Sequence, residues 1–254
     1  MEQYFNTFLW VMSALALLVF IALYFVDAGY GRFVSKRWGF SVSNKLGWVL
    51  MEAPVFVTML VLWLRSERVD NLICIAFLFL FELHYFQRSF VFPFMIRGKG
   101  KMPIAIIVMG MSFNVLNAFM QGGWIFYIAP DNYYSADWLV SPQFIIGFMM
   151  FLAGMYVNIQ SDDIIRNLRT EGDTRHYLPH GGMFKYVTSA NYFGEFIEWL
   201  GFAILTWSWS GAVFALWTFA NLAPRAARIY DKYSEEFGDE LDTKKTKRII
   251  PFIY

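Results

Sequence analysis

One cysteine and three histidines stand among 254 residues, and only 16% of the chain is charged. A lone Cys forms neither an internal disulfide nor a thiolate metal cluster, and without an HExxH pairing the histidines leave no conventional zinc site. No GxGxxG follows a strand-like run and no P-loop sequence occurs, so a soluble dinucleotide or NTP domain is excluded. Low-complexity tracts and transporter-type internal repeats are also missing. The scarcity of charge excludes a water-facing surface, because 57% of the residues are hydrophobic and 20% aromatic. What remains is an all-α polytopic membrane protein, with no nucleic acid and no obligate protein partner expected.

Apolar runs long enough for a hydrocarbon core of about 30 Å divide the chain. The first, Phe8 to Val26, lacks both the basic flank and the small-residue cleavage site of a signal peptide, so it reads as a retained anchor. Leu46 to Leu64 follows, carrying Glu52 and then Pro54, which removes a backbone donor and can kink a helix. Asn71 to about Ile96 is apolar until it reaches FELHYFQRSF, Phe81 to Phe90. The fourth span runs from about Pro103 to Ile128 with Asn114 and Asn117 inside it, and the fifth from about Phe144 to Val157, directly before Asn158. A stretch from Tyr192 to Leu222, interrupted near Ser208 to Gly211, supplies two more, so a bundle of about seven transmembrane helices is expected. Residues 1–254 then form a single integral-membrane domain.

Basic residues support the odd number of spans, since Lys and Arg collect on the cytoplasmic side. Seven spans place Arg32, Lys36, Arg37, Lys45, Arg97, Lys99, Lys101, Arg166, Arg169, Arg175, Lys185 and the tail from Arg225 together, with only Arg65 and Arg68 opposite. The expected orientation is N-terminus outside and C-terminus cytoplasmic, in an inner membrane or an endoplasmic reticulum according to source.

Polar residues are densest from Gly154 to Trp199, between segments apolar enough to cross a bilayer. Each charge at mid-membrane costs about 2.5–3.5 kcal/mol on insertion scales, so something polar is expected to bind there. Glu52 is flanked by apolar residues on both sides and calls for a hydroxyl donor as partner. Tyr85 offers a phenol on the same helix face as Arg88, with His84 beside it, although a tyrosine near the membrane surface is more often an interfacial anchor. Arg88, Arg97, Arg166, Arg169 and Arg225 lie at or near helix ends, where topology alone accounts for most cations. Asn158, Asp162, Asn191 and Glu195 add amides and carboxylates that topology does not require. Together these groups fit a nucleotide, whose phosphates favour Arg and whose ribose and carboxamide favour neutral partners.

At these residues the chain resembles the steroid 5-alpha-reductase family of membrane enzymes. The likeness rests on NIQSDDIIRNLR (Asn158 to Arg169), LPHGGMFKYVTSANYFGEFIEWLGFA (Leu178 to Ala203) and the terminal RIIPFIY, with HYFQR (His84 to Arg88) and Glu52-Ala-Pro54 as shorter signatures. It implies a seven-helix bundle holding NADPH toward the cytoplasm, mostly through motifs after about residue 150, and reduction of the delta-4 double bond of a 3-oxo steroid. Carried over, Tyr85 hydrogen-bonds the enone oxygen with Glu52 in support. Arg88, Arg97, Asn158, Asp162, Arg169, Tyr177, Asn191, Glu195, Arg225 and Tyr233 fall on cofactor positions, and Trp199 falls near the substrate pocket. Two departures stand out. His176 and Tyr177 occupy places where the family usually has a Tyr shortly before the loop proline, and Ala226, Ala227, Arg228 and Ile229 replace a frequent histidine pair, leaving Arg228 as a substitute. Rival readings are a reductase of an enoyl thioester or a polyprenol-type lipid, a seven-helix transporter or receptor, and a membrane methyltransferase. Partners are a lipophilic steroid-like molecule and membrane lipids.

Overall fold

The computed structural model describes residues 1–26, 38–168, 170, 175 and 177–254. Among these, five helical stretches are long and apolar enough to cross a bilayer: Glu2–Phe25, Asn44–Leu64, Leu72–Met95, Ile104–Ile128 and Pro142–Asn167. The first two are α1 and α2. The third is a rod in which α3 (Leu72–Phe86) passes through a π-helical turn, Gln87–Val91, into the short α4 (Phe92–Met95). The fourth is α5 (Ile104–Gly123) with a π-helical end, Trp124–Ile128, and the fifth is α6. Adding α7 (Ala190–Thr206) and α8 (Trp209–Glu236) gives seven long helices among the described residues, as the sequence predicts. Trp10, Leu18, Val57, Ile146 and Met149 are among the many large apolar side chains left exposed, the surface that lipid rather than water covers.

Local chemistry sets the helix starts. Asn71 accepts hydrogen bonds from Ile73 N–H and Cys74 N–H, each at 3.0 Å, and Ser141 accepts from Phe144 N–H ahead of Pro142 at the first helical position. Such caps satisfy donors that would otherwise be orphaned and contribute about 1 kcal/mol each. The predicted break near Ser208 is present: Trp207 takes a left-handed conformation (φ 44°), ending α7, and Ser208 caps α8 through Gly211 N–H at 3.0 Å.

Boundaries differ from the sequence reading at three helices: α1 starts at Glu2, six residues before Phe8, α8 runs to Glu236, fourteen past Leu222, and α6 is extended too. Helix α6 continues through Asn167, ten residues beyond the predicted end at Val157, so Asn158 and Asp162 project from a helix rather than from a loop. Apolar run length marks the bilayer, not the helix, and the polar turns persist here because α7 packs along them.

That packing is the closest between helices among the described residues. Gly147 and Gly154 on α6 face Gly201 and Gly194 on α7, and a Cβ added at Gly154 would lie 2.3 Å from Glu198 N, one at Gly194 2.4 Å from Asn158 N. Small residues spaced in this way let backbones touch within a membrane. The seam thereby fixes Asn158 and Asp162 relative to Asn191, Glu195 and Glu198. Gly154→Ala is expected to cost at least about 1–3 kcal/mol, as overpacking against rigid backbone does. A thermal melt in detergent checks this, and an unchanged midpoint would deny the contact.

At the α7 start the C-terminal motif serves as a strap. Thr188 N–H donates to Lys247 O at 2.9 Å, Lys247 N–H donates to Tyr186 O at 2.8 Å, and Ile249 is fully buried against Leu222, Ala223 and Ala226. On the same end of the bundle, β1 (Ser41–Ser43) pairs antiparallel with β2 (Lys101–Pro103), tying the α2 and α5 starts together.

Candidate functional site

A cavity of about 970 Å³ runs inside the bundle, with side chains from α1, α2, α3, α4, α5, α6, α7 and α8 in its wall. At one end it is bordered by Arg97, Lys99, Arg225 and Tyr233; further in it is lined by Met109, Phe113, Phe214 and Trp217, with Glu52 and Tyr85 among them. Tyr85 lies ten residues before the end of α4, or about 15 Å at 1.5 Å per residue, so the phenol is well below the basic end.

Helix α5 carries a ladder of amides facing this wall. Asn114 Nδ2 donates to Glu52 Oε2 at 3.0 Å and to Met51 O at 2.9 Å, whereas Asn117 Nδ2 donates to the Tyr85 hydroxyl at 3.0 Å. Gln121 in turn donates to Asn117 Oδ1 at 3.3 Å and to Ser210 O at 3.0 Å. Residues 114, 117 and 121 share one helix face. Because the Tyr85 oxygen accepts from Asn117, its own proton remains available to an acceptor in the cavity. Trp199 packs beside the phenol ring, centroids 5.6 Å apart, and against Phe214 at 4.5 Å.

A second cluster surrounds Arg88, carried by the π-helical turn. Its Nη1 donates to Asp162 Oδ2 at 2.8 Å, Nη2 lies 3.9 Å from Glu195 Oε2, and its guanidinium sits 4.8 Å from the Trp48 and 4.5 Å from the Phe92 ring centroid. Asn191 Nδ2 donates to the other Asp162 oxygen at 3.1 Å, and Asn158 Nδ2 donates to Asn191 O at 2.9 Å. Charges this buried require such pairing.

The match to known proteins settles the lineage. A family model described as 3-oxo-5-alpha-steroid 4-dehydrogenase matches residues 100–254. Mus musculus 3-oxo-5-alpha-steroid 4-dehydrogenase 1 is 40% identical over 241 residues, covering 94% of this chain and 92% of that protein. Gossypium hirsutum steroid 5-alpha-reductase DET2 is 35% identical over 257 residues, covering 100% and 98%. The chain belongs to the steroid 5-alpha-reductase family. Homo sapiens 3-oxo-5-alpha-steroid 4-dehydrogenase 1 is also similar, 38% identical over 89% of this chain and 86% of that protein. The chain is accordingly an oxidoreductase.

In this steroid 5-alpha-reductase family member, Glu52, Tyr85, Arg88, Arg97, Asp162, Asn191, Glu195, Trp199, Arg225 and Tyr233 all line one cavity. Asn158 is not in its lining and is bonded to the Asn191 carbonyl behind it. Tyr177 lies in the loop against Arg175, 5.4 Å from ring centroid to guanidinium, apart from the cavity lining. Arg169 and His176 fall outside the described residues. Arg228, considered as a substitute for the histidine pair, donates to Tyr24 O at 3.0 Å, toward the end of α1, while Ile229 lines the cavity. Sequence reading noted Asn114 and Asn117 without a role and gave none to His84, although amides at spacing three in an apolar span signal a bonded face.

Proposed function

We propose that this protein reduces the delta-4 double bond of 3-oxo steroids to 5-alpha products with NADPH. The observation that carries the reading is that one cavity joins a phenol with a disposable proton, in apolar surroundings, to a basic, amide-rich end. The donor set there suits a phosphorylated dinucleotide: Arg97 and Arg225 for phosphates, with Asn191 and Glu195 for hydroxyl and amide groups. Bound NADPH would supply the hydride for the β carbon of the enone.

The protein's own part is electrostatic. Tyr85 donates to the ketone oxygen, where negative charge develops as the double bond is attacked, and low local polarity strengthens that bond. Glu52, steadied by Asn114, completes the polar pair at the oxygen. Aromatic walls at Phe113, Trp199, Phe214 and Trp217 suit a flat lipophilic substrate and exclude water. Asp162, itself braced by Asn191, holds Arg88 in place rather than meeting the substrate.

Purified protein incubated with NADPH and a panel of 3-oxo-delta-4 steroids, enoyl thioesters and polyprenals tests this directly. Steroid loss coupled to NADPH oxidation is expected, at least about tenfold more efficient than with NADH, since the basic end meets the extra phosphate. Turnover of the thioesters or polyprenals alone would defeat the steroid assignment, and equal efficiency with NADH would defeat the cofactor preference.

The same end of the bundle carries Lys45, Arg97, Lys99, Lys101 and Arg225, and it faces the cytoplasm on this reading, with the N-terminus outside. Cysteine placed at exposed Lys99 is expected to react with an impermeant thiol reagent only in opened cells; the native Cys74 is buried and stays silent. Labelling of intact cells would reverse the orientation.

A further inference from the structure

Beside Tyr85 stands a pair that the foregoing chemistry leaves without a task. His84 Nδ1 is 2.8 Å from Glu198 Oε1, across α3 and α7, and the carboxylate is wholly buried. Its other oxygen has no partner among the described residues, so the imidazole is the one group holding it. The ring is wedged edge-on against Trp199 (centroids 4.6 Å apart) and Tyr85 (5.1 Å), which fixes its plane. His84 nevertheless lines the cavity, and its Nε2 is neither bonded to protein nor among the sealed, unpartnered atoms. One nitrogen is therefore clamped by a carboxylate while the other opens on the substrate space. A buried ion pair is a poor way to gain stability, because desolvation offsets the attraction. The same arrangement is an effective way to hold an imidazole in one orientation with its far nitrogen presented.

We infer that His84 is the proton donor to the α carbon of the substrate, with Glu198 as its positioning residue, an assignment that rests on the reductase reading above. The α carbon adjoins the carbonyl carbon whose oxygen Tyr85 contacts, and Tyr85 and His84 are neighbours in sequence with touching rings. After the β carbon has gained hydride, the pair of electrons in the enolate double bond forms the new C–H bond at the α carbon. The Nε2–H bond of the imidazolium breaks in the same step and the ketone is restored. Nδ1–H stays on Glu198, and the now neutral ring regains its proton from water at the open end of the cavity. The sum is enone, NADPH and one proton giving saturated ketone and NADP⁺.

The reverse of this step can be read without any reduction. Incubated in D₂O with a saturated 3-oxo 5-alpha steroid and NADP⁺, the protein is expected to exchange one α hydrogen for deuterium stereospecifically. His84→Gln should lower both that exchange and NADPH-driven enone reduction by about 10²-fold or more, the size of a lost general acid. Steroid and NADPH binding should change less than about threefold, in keeping with a role in proton transfer rather than ground-state binding. Glu198→Gln, which retains a polar partner for the ring, should show a smaller loss in both. In His84→Gly, added substituted imidazoles should restore exchange in proportion to their basicity. Parental exchange and reduction in His84→Gln would overturn the assignment, and so would rescue that follows the size of the imidazole, which would make the pair a helix tie. A parent protein that reduces no enone would instead remove the reductase reading, and this role with it.

Discussion

Tyr85→Phe is expected to lower steroid reduction by about 10²-fold or more while the fold and NADPH binding survive, because the ring is kept and only the donor to the developing oxyanion is lost. Among the described residues the hydroxyl's one bond is that accepted from Asn117, so its removal leaves that amide still close to Gln121 and the wall intact. Glu52→Gln keeps shape and a bond with Asn114 but removes the carboxylate, and turnover should fall as well. Glu52 and Tyr85 sit on different helices, yet adjacent rungs of α5 hold them, so they act as a unit. The double variant should therefore lose much less than the product of the single losses. Full activity in Tyr85→Phe would return the residue to the role of a packed aromatic; strictly multiplicative losses would mean that the two act separately.

Arg88→Met has the largest expected effect on the protein itself. It leaves the Asp162 carboxylate buried with Asn191 as its one remaining partner among the described residues, and breaking one side of such a pair costs about 3–5 kcal/mol. A thermal melt in detergent should show the loss, together with the disappearance of NADPH binding followed by its fluorescence. Replacing both partners, Arg88→Met with Asp162→Leu, should recover most of the melting temperature but none of the binding. Recovery of both would confine Arg88 to a structural role. A parental melt in the single variant would show that the pair is not sealed from water.

Much of this architecture was legible because lipid imposes simple rules. Seven long helices among the described residues, five of them apolar enough to span, and the break at Ser208 follow from run length, which the bilayer constrains more strongly than water does. Run length failed at α6, where the helix outlasts its apolar segment: Gly154 and Gly194 bring α7 so close that polar turns remain paired. Residue types drew attention to Tyr85, Glu52, Arg88 and Asp162, whereas their partnerships are products of packing between distant segments. Asn117 bonds Tyr85 across 32 positions and Glu198 bonds His84 across 114, and no local spacing reveals either. The glycines of GEFIEWLG were similarly opaque. Read as part of a cofactor motif, Gly194 and Gly201 are the points at which α6 and α7 meet, and the motif's carboxylates are placed by that contact.

NADPH deuterated at the reactive position of the nicotinamide, supplied with a 3-oxo-delta-4 steroid in ordinary water, gives the most direct measurement. The product should carry one deuterium at the β carbon on the alpha face and none at the α carbon, because the first hydrogen comes from the cofactor and the second from exchangeable protons. A saturated product without deuterium, or a steroid left unreduced while NADPH is bound, would contradict the account.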